Sequence, residues 1–120
     1  MKKYAFFDGD NVGSTIEILL IEDRISDAQE LSNNITKSLK KIKRRIENKS
    51  EIIIMGGDDL LIRVEEKRIE EVVKDVREIF SEETGLTISC GIADTVKSSI
   101  YQLSMAKLYG KNQVKFEKNV

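Results

Sequence analysis

Two adjacent aspartates stand on a glycine pair between two apolar runs. Asp58 and Asp59 follow Gly56 and Gly57, and large aliphatic residues precede and follow this group. The pattern predicts a β-hairpin with carboxylates at its tip. The glycines leave no side chain beside the acids, so a bulky anionic ligand could approach them. An ordinary solvated turn has the same composition, because Gly and Asp are common turn residues.

A second acidic tip follows the first apolar run. Residues 4–7 read as a strand that ends in Asp8-Gly9-Asp10. If the two tips meet, their carboxylates form a costly group of like charges unless a cation lies among them. Asp10 is the weaker candidate, because strand alternation places it beside Asp8 only if the strand continues that far.

The residue types available indicate which cation this would be. The chain contains no histidine and one cysteine, Cys90. A bound metal would therefore be hard and oxygen-ligated, which indicates Mg²⁺ or Mn²⁺. Two such ions can activate a hydroxyl and stabilise a leaving pyrophosphate in a displacement at phosphorus.

Two lysines could supply the basic partners that a triphosphate needs. Lys107 and Lys111 lie four residues apart near the end of a predicted helix, and Gly110 allows a turn there. They could bind the β- and γ-phosphates. Alternatively, they only complement the negative end of the helix dipole.

The elements that must position these residues follow from hydrophobic periodicity. The pattern predicts, in order, a strand over 4–7, a short helix capped by Ser14 or Thr15 and running to Leu20, a polar break over 22–28, a helix with its apolar stripe at 31–46, hairpin strands at 52–55 and 60–64, a helix at 69–80 ended by Gly85, a strand at 86–93, a helix at 98–108 and a strand at 113–116.

This order predicts an α+β fold of the ferredoxin-like βαββαβ type, with an added C-terminal helix and short strand. We expect the helices on one face of an antiparallel sheet. The first strand should be central, beside either the strand that enters the hairpin or the one that leaves it. The two acidic tips can then meet.

Composition narrows the class of protein. At 120 residues the chain is expected to form one domain, 1–120. It has no apolar run of the roughly 18 to 20 residues that span a bilayer and no recognisable signal peptide, so we expect a cytoplasmic protein without membrane contact. A net charge of −1 argues against stable nucleic-acid binding.

Four segments together resemble a known family. Residues 6–11, 55–62, 87–93 and 106–114 fall in the order and rough spacing of the GGDEF-type nucleotidyl cyclase palm. The GGDD variant and the short length most resemble the minimal CRISPR polymerases, which are similar to the palm of the large subunit of type III CRISPR effectors.

The resemblance implies roles for individual residues. Asp8, Asp58 and Asp59 would be catalytic and would bind the metals, with the Gly9 carbonyl as a further ligand. The residues implied in nucleotide binding are Asn11, Gly13, Ser14, Gly56, Gly57, Lys107 and Lys111. The base would lie between the first helix and the hairpin, where Thr15 and the rings of Tyr4 or Phe7 are further candidates.

The resemblance also implies a reaction. The protein would join ATP into a cyclic di- or oligoadenylate, release pyrophosphate and supply a second messenger to an effector in antiphage defence. Residues 11–15 lack the guanine contacts of diguanylate cyclases, which favours ATP. Since one palm has room for one triphosphate, we expect a homodimer.

Three alternatives are compatible with the same residues. A diguanylate-cyclase-like enzyme would use GTP. A non-catalytic palm would only sense a nucleotide. A haloacid-dehalogenase-like phosphatase would use Asp8 as its nucleophile and Asp10 as acid and base, and would need a parallel sheet.

Overall fold

The computed structural model describes residues 1–118, so the last two residues of the predicted domain, 119 and 120, lie outside it. The elements are β1 (Lys2–Gly9), α1 (Val12–Ile21), α2 (Ile25–Ile46), β2 (Ser50–Gly56), β3 (Asp59–Glu65), a 3₁₀ turn (Glu66–Arg68), α3 (Ile69–Thr84), β4 (Ile88–Ala93), α4 (Val96–Leu108) and β5 (Val114–Phe116). Among the described residues, no helix has the length and apolar character needed to cross a membrane.

The five strands form one sheet in the order β2-β3-β1-β4-β5. β1 is central and pairs antiparallel with β3 and β4, so its hairpin neighbour is the strand that leaves the turn. The predicted α+β fold with a βαββαβ core is confirmed. The short strand β5 joins β4 in parallel, because α4 carries the chain back along the sheet before β5 begins.

One face of the sheet packs against α2 and α3, as expected. Ala5 and Phe7 of β1 pair with Ile62 and Leu60 of β3, and all four are buried. Their partners are the predicted apolar stripes of α2 and α3, including Ile42, Val76 and Phe80 in the same core. Gly85, with φ of 73°, ends α3 as predicted.

The opposite face is covered by α4, a placement that the sequence pattern did not predict. Gly91 lies between two core residues of β4 and therefore points away from that core. A Cβ at Gly91 would lie 2.2 Å from the Leu103 nitrogen and 2.2 Å from the Ser99 carbonyl oxygen, both in the backbone of α4. The helix thus lies directly on the β4 backbone.

The start of α1 differs from the prediction. Asn11 occupies the cap position in a left-handed conformation with φ of 59°, and no side chain caps the helix. The hydroxyls of Ser14 and Thr15 instead donate back to the Asn11 carbonyl, so neither residue is the cap. The break that follows is only residues 22–24, since α2 begins at Ile25.

The α4–β4 contact predicts the effect of one methyl group. Gly91→Ala should destabilise the protein by roughly 1–3 kcal/mol, because the new Cβ meets backbone atoms that cannot move independently. The free energy of unfolding in urea would measure this loss.

Gly13→Ala is the matched control. A Cβ there meets nothing within 4 Å, and the residue lies inside α1. This variant should be neutral or gain roughly 0.4–1 kcal/mol. Equal stability of the two variants would contradict the close packing of α4.

Candidate active site

The end of β1 meets the tip of the β2–β3 hairpin. Asp8 pairs with Asp59 across the β1–β3 ladder, and the Gly9 N–H donates to the Asp58 carbonyl at 3.1 Å. One carboxylate oxygen from each of Asp8, Asp58 and Asp59 lies within 4.8 Å of the others. The structure therefore brings the two predicted acidic tips together.

These three carboxylates form what we call the acidic cluster, and its crowding disturbs the ionisation of Asp58 and of Asp59. Burial and repulsion from Asp8 raise the pKa of Asp58 above its ordinary value. A hydrogen bond with Asp8, burial and repulsion from both neighbours raise the pKa of Asp59 to about 7. Such shifts are expected where carboxylates share a site without enough positive charge.

The hairpin tip leaves this cluster open on one side. Gly57 has φ of +57°, which allows the tight turn between β2 and β3. A Cβ built on Gly56 or on Gly57 meets no atom within 4 Å. The glycines therefore leave room beside Asp58 for a large ligand.

Lys107 of α4 places an ammonium group among these oxygens. Its Nζ lies 3.1 Å from Asp8 Oδ2 and donates to the backbone carbonyls of Asp8 and Gly9 at 3.0 and 2.9 Å. The same nitrogen donates to Asp10 Oδ1 at 2.7 Å. Four oxygens thus surround one positive charge at the end of β1.

The donor set fits a hard divalent ion. Three carboxylates and the Gly9 carbonyl offer only oxygen ligands, as Mg²⁺ and Mn²⁺ prefer. The position of the Lys107 ammonium shows that a cation can be accommodated beside Asp8.

Lys111 lies on the turn that follows α4. Its Nζ donates to Asn11 Oδ1 in a solvent-exposed hydrogen bond. Gly110, Lys111 and Asn112 all have positive φ, which reverses the chain between α4 and β5. The structure therefore brings two predicted nucleotide-binding residues, Asn11 and Lys111, next to each other.

Asp10 is outside the acidic cluster. It is only 2% exposed and accepts hydrogen bonds from Thr87 Oγ1, Ser89 Oγ and the Asn112 N–H as well as from Lys107. Burial alone would raise its pKa, but these bonds together lower it below its ordinary value. Asp10 is thus a satisfied buried carboxylate with no oxygen directed at the cluster.

The residues that hold Asp10 were not predicted from the sequence. Thr87 and Ser89 are hydroxyl residues two positions apart in an otherwise apolar segment, so they share one face at the start of β4. That alternation was the available signal. No sequence pattern indicated the role of the Asn112 N–H, because that role depends on the backbone conformation of a turn.

The residues predicted to contact the base differ in how well their positions suit that role. Phe7 is fully buried in the core and cannot stack on a base, so that candidate is wrong. Tyr4 is on the same strand face as Asp8 but four residues away, roughly 13 Å along β1. Gly13 and Ser14 remain accessible at the start of α1, beside Asn11.

The sheet topology excludes the phosphatase alternative. An enzyme of that class needs its nucleophile at the end of a strand within a parallel sheet. β1 pairs antiparallel with both neighbours, and the only parallel pair among the described strands joins β4 to β5.

In a comparison with protein families, residues 4–116 match the minimal CRISPR polymerase domain. Comparison with curated protein sequences finds no match.

The solved structures with a similar fold include diguanylate cyclase domains and Csm1–Csm4 cassettes. The active GGEEF domain of a diguanylate cyclase from Vibrio cholerae is 16% identical with a TM-score of 0.66, over 99% of this chain and 84% of its own. The Csm1–Csm4 cassette in complex with AMPPNP is 22% identical with a TM-score of 0.77, over 94% of this chain. Its complex with cA4 is 18% identical with a TM-score of 0.74, over 98% of this chain. The chain spans only about a fifth of the matched Csm chains, 20% and 21%.

The acidic cluster predicts an unusual pH dependence of stability. The pKa of Asp59 in the folded protein, about 7, exceeds its ordinary value of about 3.9, so the folded state binds more protons between these values. The free energy of unfolding should therefore fall as the pH rises through this window. Asp59→Asn should reduce this slope in urea titrations without metal.

Asp27→Asn provides the control, since it removes an exposed carboxylate in the first turn of α2. It should keep the wild-type slope. Identical slopes in wild type and Asp59→Asn would contradict the interaction of Asp59 with Asp8.

Proposed function

Because the chain belongs to the minimal CRISPR polymerase domain family, we propose that it is a nucleotidyltransferase that joins ATP into a cyclic di- or oligoadenylate. Each joining step releases pyrophosphate. The product would act as a second messenger in antiphage defence and would be bound by a separate effector.

One observation carries this proposal. One carboxylate oxygen from each of Asp8, Asp58 and Asp59 lies within 4.8 Å of the others, and Lys107 contacts the carboxylate of Asp8. Phosphoryl transfer with two metal ions needs clustered hard ligands and a basic partner for the phosphates. β1 and the β2–β3 hairpin supply the carboxylates and α4 supplies the lysine, from different parts of the chain.

The residues divide into metal-binding and phosphate-binding groups. Asp8, Asp58, Asp59 and the Gly9 carbonyl would hold Mg²⁺, or Mn²⁺ in its place. When bound, the ions would activate the attacking hydroxyl and offset charge on the leaving pyrophosphate. Lys107 and Lys111 would bind the β- and γ-phosphates, and the open space over Gly56 and Gly57 would admit them.

Each joining step is a substitution at the α-phosphorus of a nucleotide. A ribose hydroxyl of one nucleotide forms a bond to the α-phosphorus of another, and the bond from that phosphorus to the pyrophosphate oxygen breaks. The hydroxyl proton is released. A second substitution of the same kind closes a ring of two nucleotides.

Adenine is favoured over guanine on two grounds. The segment 11–15 lacks the guanine contacts of the diguanylate cyclases that the chain resembles. The Csm1–Csm4 cassette has been solved in complex with ATP, AMPPNP and cA4, all adenine compounds. Both grounds support ATP as substrate, with Asn11, Gly13 and Ser14 beside the base or ribose.

A second copy of the chain follows from the chemistry. Joining two nucleotides requires the hydroxyl held at one site to reach the α-phosphorus held at another. Two copies facing each other across their acidic clusters would each present a nucleotide to the metals of the other. Repulsion between the clusters would keep this homodimer weak until metal and nucleotide bind.

The activity test uses the purified protein with ATP and Mg²⁺. We expect pyrophosphate and a cyclic adenylate, identified by mass spectrometry, and ATP should be used in preference to GTP in competition. Asp8→Ala and Asp58→Ala should each lower turnover by at least about 100-fold while the fold persists, because each removes a metal ligand.

Asp27→Ala is the control, as a carboxylate loss outside the cluster, and should retain wild-type turnover. Full activity in Asp8→Ala would refute the metal assignment. Nucleotide binding without pyrophosphate release would favour the sensing palm, and preferred use of GTP would favour the diguanylate-cyclase-like enzyme.

The dependence of the rate on protein concentration tests the proposed dimer. The rate per chain should fall on dilution if two copies are needed, and light scattering should show dimer formation strengthened by Mg²⁺ and AMPPNP. A monomer that forms cyclic product at a rate per chain independent of dilution would contradict the face-to-face arrangement.

A further inference from the structure

Asp10 has an environment that neither metal binding nor phosphate binding explains. Its carboxylate is 2% exposed and accepts four hydrogen bonds of 2.7 to 2.9 Å. A buried carboxylate is costly unless its oxygens are satisfied, so the surrounding donors must be held in place with it. Those donors come from separate parts of the fold.

The four donors connect three elements to the end of β1. Thr87 immediately precedes β4 and Ser89 is its second residue, and the bonds from their hydroxyls fix the direction of the carboxylate. Lys107 comes from the last turn of α4. The Asn112 N–H comes from the turn between α4 and β5.

Both phosphate-binding lysines depend on these contacts. Lys107 is bonded to Asp10 directly, at 2.7 Å. Lys111 is adjacent to Asn112, whose backbone is bonded to Asp10 and whose side chain accepts a hydrogen bond from Arg77 at 2.7 Å. Asp10 is therefore one of the contacts that fix this turn, together with the hydrogen bond from the Lys111 N–H to the Ala106 carbonyl.

We propose that Asp10 is a positioning residue, which holds Lys107 and the Lys111 turn at the distance from the acidic cluster that a metal-bound triphosphate requires. The proposal rests on the proposed function in assigning phosphates to these lysines. Asp10 itself touches neither metal nor nucleotide. It acts by fixing the positions of Lys107 and Lys111 relative to the acidic cluster.

The geometry predicts what the loss of one charge would do. In Asp10→Asn the side chain keeps its size, but an NH₂ group, which only donates, replaces one carboxylate oxygen. This group would face another donor, either the Asn112 N–H on one side or the hydroxyl and ammonium on the other. In either orientation Lys107 would lose its anionic partner at this position, while Asp8, Asp58 and Asp59 would keep their side chains. Nucleotide binding should therefore weaken although every ligating group is present.

The experiment is a double-mutant cycle on the affinity for AMPPNP with Mg²⁺, measured by calorimetry. Asp10→Asn and Lys107→Ala should each weaken binding by about tenfold, and the double variant should lose clearly less than the product of the two losses, because both changes disrupt the Asp10–Lys107 contact and only the effect on the Lys111 turn adds to it. Fully additive losses in the double variant would overturn the proposal, because they would show that Asp10 and Lys107 affect binding independently of each other.

Asp94→Asn is the matched control. Asp94 also pairs with a lysine, Lys3, but it follows the far end of β4, away from the acidic cluster. This variant should bind AMPPNP as the wild type does. A tenfold loss there as well would mean that the effect of Asp10→Asn is not specific to the site.

Hydrogen exchange in the ligand-free protein gives a second readout that does not depend on nucleotide. The Asn112 amide should be protected in the wild type and in Asp94→Asn but not in Asp10→Asn. Unchanged protection in Asp10→Asn would overturn the positioning role. If the wild type does not bind AMPPNP, the proposed function fails, and the exchange result still decides the role of Asp10.

Thr87→Val serves if Asp10→Asn does not fold. It removes one of the two hydroxyls that orient Asp10 and leaves its charge in place. AMPPNP affinity should fall by a few fold, with faster exchange at Asn112. Wild-type values for both measurements would overturn the proposal.

Discussion

Repulsion among three carboxylates is the constraint to which the rest of the site responds. The antiparallel register of β1 and β3 places Asp8 opposite Asp59, and the short turn adds Asp58 beside them. Like charges directly opposite each other on neighbouring strands destabilise a sheet. Hydrogen bonds on both sides of the central strand β1 and the packed core behind it hold the arrangement in place.

One ammonium group offsets part of this charge. Lys107 contacts the carboxylates of Asp8 and Asp10 and two backbone carbonyls. It can do so because α4 packs directly on the face of the sheet to which Asp8 points, through close contact with Gly91. A single positive charge is not sufficient for three acids, and the raised pKa values of Asp58 and Asp59 reflect the remainder.

The sequence predicted the parts of this structure that depend on local pattern. Alternating and helical stripes give the βαββαβ core, and the GGDD turn and the end of the first strand give the acidic tips. It did not predict the face on which α4 lies, because α4 has no apolar stripe comparable to those of α2 and α3. Nor did it predict the roles of Phe7 and Asp10. Their side-chain environments depend on packing against elements that are distant in the sequence.

The acidic cluster and the two lysines carry charge of opposite sign. The acidic cluster has three carboxylates against the one ammonium of Lys107, whereas Lys111 is paired only with the neutral Asn11 side chain. A metal-bound triphosphate would bring positive charge to the first and negative charge to the second at the same time. An ion without phosphates would have to compete with Lys107 for the oxygens of Asp8 and Gly9, and phosphates without an ion would meet uncompensated carboxylates. Metal and nucleotide should therefore bind with positive coupling, since each removes the obstacle to the other.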